Sequence, residues 1–163
     1  TMRVALTPRK VFHSNSSQVL MIPSRNEIDE AFLLGVLSSI PLDWYARRFV
    51  EVNFNFFLFN LLPIPCPNNN NALYRRIVEL SGRLASKDER FKEWAASVGV
   101  KHGYLQPDEK QDKIFELDAV VAHLYELSEP QLIHIYETFH EGWDYTDRLN
   151  QVLDYYKSWK NKK

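Results

Sequence analysis

The chain has 163 residues, 45% hydrophobic and 13% aromatic, which supplies one good core with a helical annex and excludes a disordered segment. Its single cysteine, Cys66, excludes an intramolecular disulfide and points to a reducing, cytoplasmic setting. The net charge of −1 hides a split: residues 1–76 carry eight Lys/Arg against five acids and the remainder twelve against sixteen, so the first part is the one expected to face an anion.

One residue precedes Met2, and "RVAL" (Arg3–Leu6) reads as strand at once, the pattern of a piece cut from a longer parent. "RKVF" (Arg9–Phe12) and "QVLMI" (Gln18–Ile22) are further β-type runs, separated by Thr-Pro and by the polar "HSNSS". Asn15 begins an "NSS" acceptor pattern, but no apolar run reaches the roughly 18 residues of a membrane span and no signal peptide precedes it, so a turn is expected. Ser24 and Glu27 have capping-box spacing, with Asp29 and Glu30 suited to the positive end of a helix dipole. Leu33, Val36, Leu37 and Ile40 then fall on one helical face. Pro41 breaks or restarts that helix, and "LDWYARRF" is helical again.

"EVNFNFFLFNLLPIPCPNNNN" (Glu51–Asn71) changes character. Phe54, Phe56 and Leu58 would line one side of an extended strand, and Asn55, Phe57 and Phe59 the other. Apolar on both faces, such a strand belongs inside a sheet or under a helix. "PIPCP" cannot continue a central strand and favours polyproline geometry, while the asparagines can turn the chain and cap a helix. From Ala72 onward the periodicity is helical. Stripes run through Leu73, Ile77, Leu80 and Leu84, then Phe91, Trp94, Ala95 and Val98, closed by Gly99. A helix is expected from Pro107 through Leu117 and Val121, one after a Ser128/Gln131 capping box, and a last one through Leu149, Val152 and Tyr156. The expected fold is therefore α+β: a small mixed β-sheet with flanking helices over residues 1–67, then a helical spacer and annex over 68–163.

Residues for catalysis are missing from the pattern. Zinc needs clustered Cys and His, yet His134 and His140 stand six apart and no His pair has i, i+4 spacing. No Gly-rich phosphate loop is present, and the acids at Pro107–Lys110 suit a helix start better than a nuclease site. The Asn-Pro-Pro-aromatic tetrad that amino-methylating enzymes use on a flipped base is also missing.

Two stretches carry a resemblance. "LLGVLSSIPLDWYARRFVEVNFNFFLFNLLPIPCP" (Leu33–Pro67) and "ELDAVVAHLYELSEPQLIHIYETFH" (Glu116–His140) resemble the C-terminal target-recognition domain of restriction–modification, adenine-specific DNA methyltransferases. That family shows Leu-Leu-Gly-x-Leu-Asn-Ser, a Phe/Asn strand leaving through Leu-Pro-Ile-Pro, and Asp-Ala-x-Val-Ala-x-Leu-Tyr-Gly-Leu. Here Ser38 stands for the Asn of the first motif and Glu126 for the Gly of the last, departures that bear on loop geometry. The resemblance implies recognition of double-stranded DNA in a restriction–modification or phage-defence system. It also implies a parent whose upstream methyltransferase domain binds S-adenosylmethionine, with no cofactor and no catalysis in this part. The alternative is a helical protein–protein docking module of the same parent. Arg9, Lys10, Arg25, Arg47 and Arg48 are the candidate phosphate contacts, with Arg75–Arg76 as a further basic pair. Asn53 and Asn55 are candidates for adenine edges, or else satisfy local backbone. Phe54, Phe56, Trp44 and Tyr45 are expected in the core.

Overall fold

The computed structural model describes residues 2–14, 18–22, 26–50 and 55–162. Among them the regular structure is helical: α1 (Glu27–Leu37), α2 (Ile40–Ala46), α3 (Phe56–Phe59), α4 (Ala72–Ala85), a 3-10 turn (Glu89–Phe91), α5 (Lys92–Val98), α6 (Pro107–Leu124), α7 (Glu129–Glu137) and α8 (Thr146–Trp159). No strand occurs among the described residues, so the expected α+β architecture with its mixed sheet is corrected to an all-helical one.

Two local causes explain the correction. In the Phe-rich stretch the Asn55 carboxamide accepts the Leu58 amide at 3.0 Å, which starts a helical turn where an unbroken strand is expected. Phe56 and Phe57 are 47% and 73% exposed, so Phe56 is not core; Trp44 and Tyr45 are half-buried, and Phe54 lies outside the described residues. At the N-terminus the period of two is real, but its cause differs. Met2, Val4 and Leu6 turn inward and Arg3, Ala5 and Thr7 outward, with Met2 and Val4 packed on the helical core. Among the described residues no backbone–backbone hydrogen bond joins residues 3–7 to another segment, so this arm lies on helices and pairs with no described strand.

The helical expectations from Ala72 onward hold at their termini. Asn71 accepts the Leu73 and Tyr74 amides at 2.8 and 3.2 Å and opens α4. Gly99 closes α5 at φ 83°, Pro107 opens α6, and the Ser128/Gln131 capping box opens α7. At α1 the cap is Asn26, which accepts from the Ile28 amide; Ser24 lies outside the described residues.

The long helices pack in sequence order: α1 on α4, α4 on α6, α6 on α8. The α1–α4 crossing is close because Gly35 has no side chain. A Cβ there would stand 2.7 Å from Ile77 Cγ2 and 3.0 Å from Ser81 Cβ, and the Ser81 hydroxyl reaches the Ala31 and Ile77 carbonyls instead. Helix α6 is central. Every residue from Glu116 to His123 is buried, with Leu117, Val120 and Val121 facing the core shared with α1 and α4. Ala119 and Ala122 join a second core, formed with Ile40, Leu132, Ile135, Tyr136, Val152 and Tyr156. The first core draws on both sides of the boundary expected after residue 67.

Candidate nucleic-acid interface

The Asp118 carboxylate organises one end of the molecule. Only 1% exposed, it accepts the Ile40 amide at 2.9 Å, the Tyr136 hydroxyl at 2.8 Å and the Arg148 guanidinium at 2.6 Å. It thus supplies an acceptor to the otherwise orphaned first amide of α2 and ties that helix to α6, α7 and α8. Burial, reinforced by Asp118, pushes the Tyr136 phenol well above its ordinary range. Burial opposes the charge on Arg148, but Asp118 and Tyr136 together outweigh it and raise its pKa.

Helix α2, so anchored, projects Arg47 and Arg48 from its end toward the C-terminus of α7. Arg47 Nη1 donates to the Phe139 carbonyl at 3.2 Å, and its guanidinium lies 4.3 Å over the Phe139 ring. Arg48 Nη2 donates to the Thr138 carbonyl at 3.3 Å and lies 4.6 Å over Trp44, whose indole donates to Thr138 Oγ1. The carbonyl end of a helix carries partial negative charge, so both cations serve first as its counter-ions. Asp43 adds a 3.7 Å ion pair to Arg47. Arg47 is half-buried, while Arg48 keeps an exposed edge that a phosphate can reach.

Just past these carbonyls comes an aromatic connection that the sequence patterns did not single out. Trp143 is 68% exposed, stacked near Tyr145 with ring centres 6.5 Å apart and edge-on to His140 at 5.6 Å. Tyr145 in turn meets Phe139 edge-to-face at 5.3 Å, so the exposed indole is propped from below. Asp144 accepts the Thr146 amide at the start of α8, and the Thr146 hydrogen bonds hold its carboxyl below the usual range. The available signal was a tryptophan inside "HEGWDY", a polar, glycine-containing link between two helical stripes. An exposed indole backed by a second ring suits stacking on an unpaired base. Glu141 and Asp144 lie in the same connection, so its attraction for phosphate rests on the two arginines.

The other expected contacts are scattered. Arg9 pairs with Glu93 at 3.3 Å against α5, both side chains being exposed. Helix α5 packs on α1 and α4, whereas α7, where Arg47 and Arg48 sit, packs on α2 and α8. Lys10 is exposed and adopts φ 63° in the turn after Pro8. The Asn55 side chain is occupied in capping α3. Arg25 and Asn53 lie outside the described residues. Arg76 forks onto Glu116 at 2.9 and 2.5 Å, and Trp159 Nε1 donates to the same carboxylate.

Among the described residues no group of three or more His, Cys, Asp and Glu is arranged to hold a metal ion, and no helix is long and apolar enough to cross a membrane. No family profile, curated protein or solved structure matches the chain significantly.

Proposed function

We propose that this chain is the sequence-specific, double-stranded DNA recognition part of an S-adenosylmethionine-dependent adenine DNA methyltransferase acting in a restriction–modification or phage-defence system. The observation that carries the reading lies where the chain departs from the motif it resembles. Glu126 occupies the glycine position of Asp-Ala-x-Val-Ala-x-Leu-Tyr-Gly-Leu and adopts φ 56°, in the left-handed region that favours glycine. The Glu126 amide donates to the His123 carbonyl and the Leu127 amide to the Ala122 carbonyl, each at 3.0 Å. That pair of bonds is a Schellman closure of α6, for which glycine is the usual residue. The backbone thus keeps a requirement that the side chain no longer advertises. Gly35 of the first motif likewise has a steric reason, the close crossing of α1 on α4.

The test is a titration of labelled duplex DNA by fluorescence anisotropy over a range of salt. Without the catalytic domain the affinity expected is that of a non-specific binder, about 10⁻⁴ to 10⁻⁶ M at physiological salt. Arg48→Gln should lower the log–log salt slope by about 1. A larger loss on replacing Lys160 and Lys162 would move the interface to the C-terminal tail and favour the second reading, a docking module of the same parent. Exposed Phe49, Phe56, Phe57 and Leu61 are the observation on that reading's side.

A further inference from the structure

Helices α4 and α6 run antiparallel. Arg76, near the start of α4, meets Glu116 in the second half of α6, whereas the Gly103 amide ahead of α6 donates to the Ser86 carbonyl at the end of α4. Both helices line a cavity of about 450 Å³, within the size range of small-molecule sites. Its lining is more apolar than polar, with Leu84 and Ala85 of α4, Ile114 and Leu117 of α6, Phe91 of the 3-10 turn and Leu6 of the N-terminal arm. The charged groups on it fall at two ends. Asp118 and Arg148 lie at one and neutralise each other at 2.6 Å. Lys87, just past α4, and Lys110, in the first turn of α6, lie at the other, where the antiparallel packing brings them. Neither lysine makes an ion pair among the described residues. The acids next to them in the chain are already engaged, Asp88 by Arg90 and Glu109 by Lys113.

We propose that this cavity binds a small organic carboxylate, its head between Lys87 and Lys110 and its apolar body along Leu84, Phe91 and Ile114. Burial of the body supplies the affinity, and the two lysines fix which way round it enters. The head goes to the lysine end because the charge of Arg148 is already matched by Asp118. A cation of the same shape meets two like charges there, and an inorganic anion has no body to bury. None of the residues assigned to DNA contact lines the cavity, so the proposal stands or falls apart from that reading.

The experiment is calorimetric titration of the whole chain with decanoate, kept below its micelle concentration. One-to-one saturable binding is expected, with the negative heat-capacity change that marks apolar burial. Decanol should bind more weakly, decyltrimethylammonium more weakly still, and acetate not measurably. Replacing both lysines, Lys87→Gln with Lys110→Gln, should weaken decanoate about tenfold and leave decanol within about twofold, since two exposed charge contacts are lost and no apolar one. Ala85→Phe, which narrows the cavity, should weaken decanoate and decanol alike while the helical circular dichroism is kept. Failure to saturate, or uptake of several equivalents per chain, would overturn the proposal. So would decyltrimethylammonium binding as tightly as decanoate, or a decanoate affinity indifferent to the loss of both lysines.

Discussion

Asp118 and Ile40 stand 78 positions apart in the chain, yet the Asp118 carboxylate accepts the first amide of α2 at 2.9 Å. The same carboxylate neutralises Arg148 at 2.6 Å. Asp118→Asn keeps the shape but turns an acceptor and a charge into a neutral amide beside a largely buried guanidinium. Breaking a buried pair from one side costs about 3–5 kcal/mol. The denaturant midpoint should fall accordingly, and Arg148→Met in the same chain should recover part of the loss.

Gly35→Ala places opposing effects in one substitution. Alanine favours a helix over glycine by about 1 kcal/mol, whereas overpacking costs about 1–3 kcal/mol. With Ile77 Cγ2 only 2.7 Å from the new Cβ, a net loss of stability in urea titration is expected. Ile77→Leu removes that methyl branch and should restore most of it.

Glu126→Gly should act in the other direction. A left-handed residue with a Cβ costs roughly 1–2 kcal/mol, which glycine relieves at some cost in unfolded-chain entropy. The expected gain is about 1 kcal/mol, a rise of about 3 °C in Tm by calorimetry. Glu126→Val should lower Tm.

Trp143 separates a binding role from a folding role. Its exposure predicts a stability change within about 0.5 kcal/mol for Trp143→Ala. If it stacks on a base, affinity for single-stranded or mismatched DNA falls by the equivalent of about 1–3 kcal/mol. Anisotropy and thermal melts on the same variant give both answers.

Asp88 tests the electrostatics in acid. Its hydrogen bonds with the Arg90 side chain hold its carboxyl at about 2, against an ordinary 3.8. A depressed carboxylate lends stability that is fully present above the ordinary value and lost as pH falls through the depressed one. Side-chain NMR should show Asp88 titrating near pH 2, and Arg90→Gln should return it toward 3.8. The pair lies at the surface in contact with solvent, so the effect belongs to the titration curve more than to the melting temperature.

The helical annex was legible because its signals are local: Asn71, Gly99, Pro107 and the Ser128/Gln131 box each act within a few residues. The sheet was misread because alternation records only which side chains find cover. Val4 and Leu6 alternate over a helical surface as they would over a sheet, and the pattern does not say whether a neighbouring strand exists. In "FNFFLFN" the deciding contact is one Asn55 carboxamide on one amide, against a run apolar on every side. At the candidate interface, Arg47 and Arg48 were found as a charged pair. Their use as counter-ions for the α7 carbonyls depends on helix packing, which spacing along the chain does not encode.

Eight consecutive buried residues on α6, Glu116–His123, have a kinetic corollary. A helix with only one sheltered face can fray or lift while the rest of the molecule stays folded. The Glu116–His123 stretch is enclosed on both sides by separate cores, so no small opening frees its main chain, whereas the exposed first turns of α6 can fray. The amide protons of that stretch should exchange with deuterium only when the whole domain unfolds, at the global free energy, while those of α3 exchange almost freely. The slowest-exchanging amides would then mark α6 as the element around which local fluctuations take place.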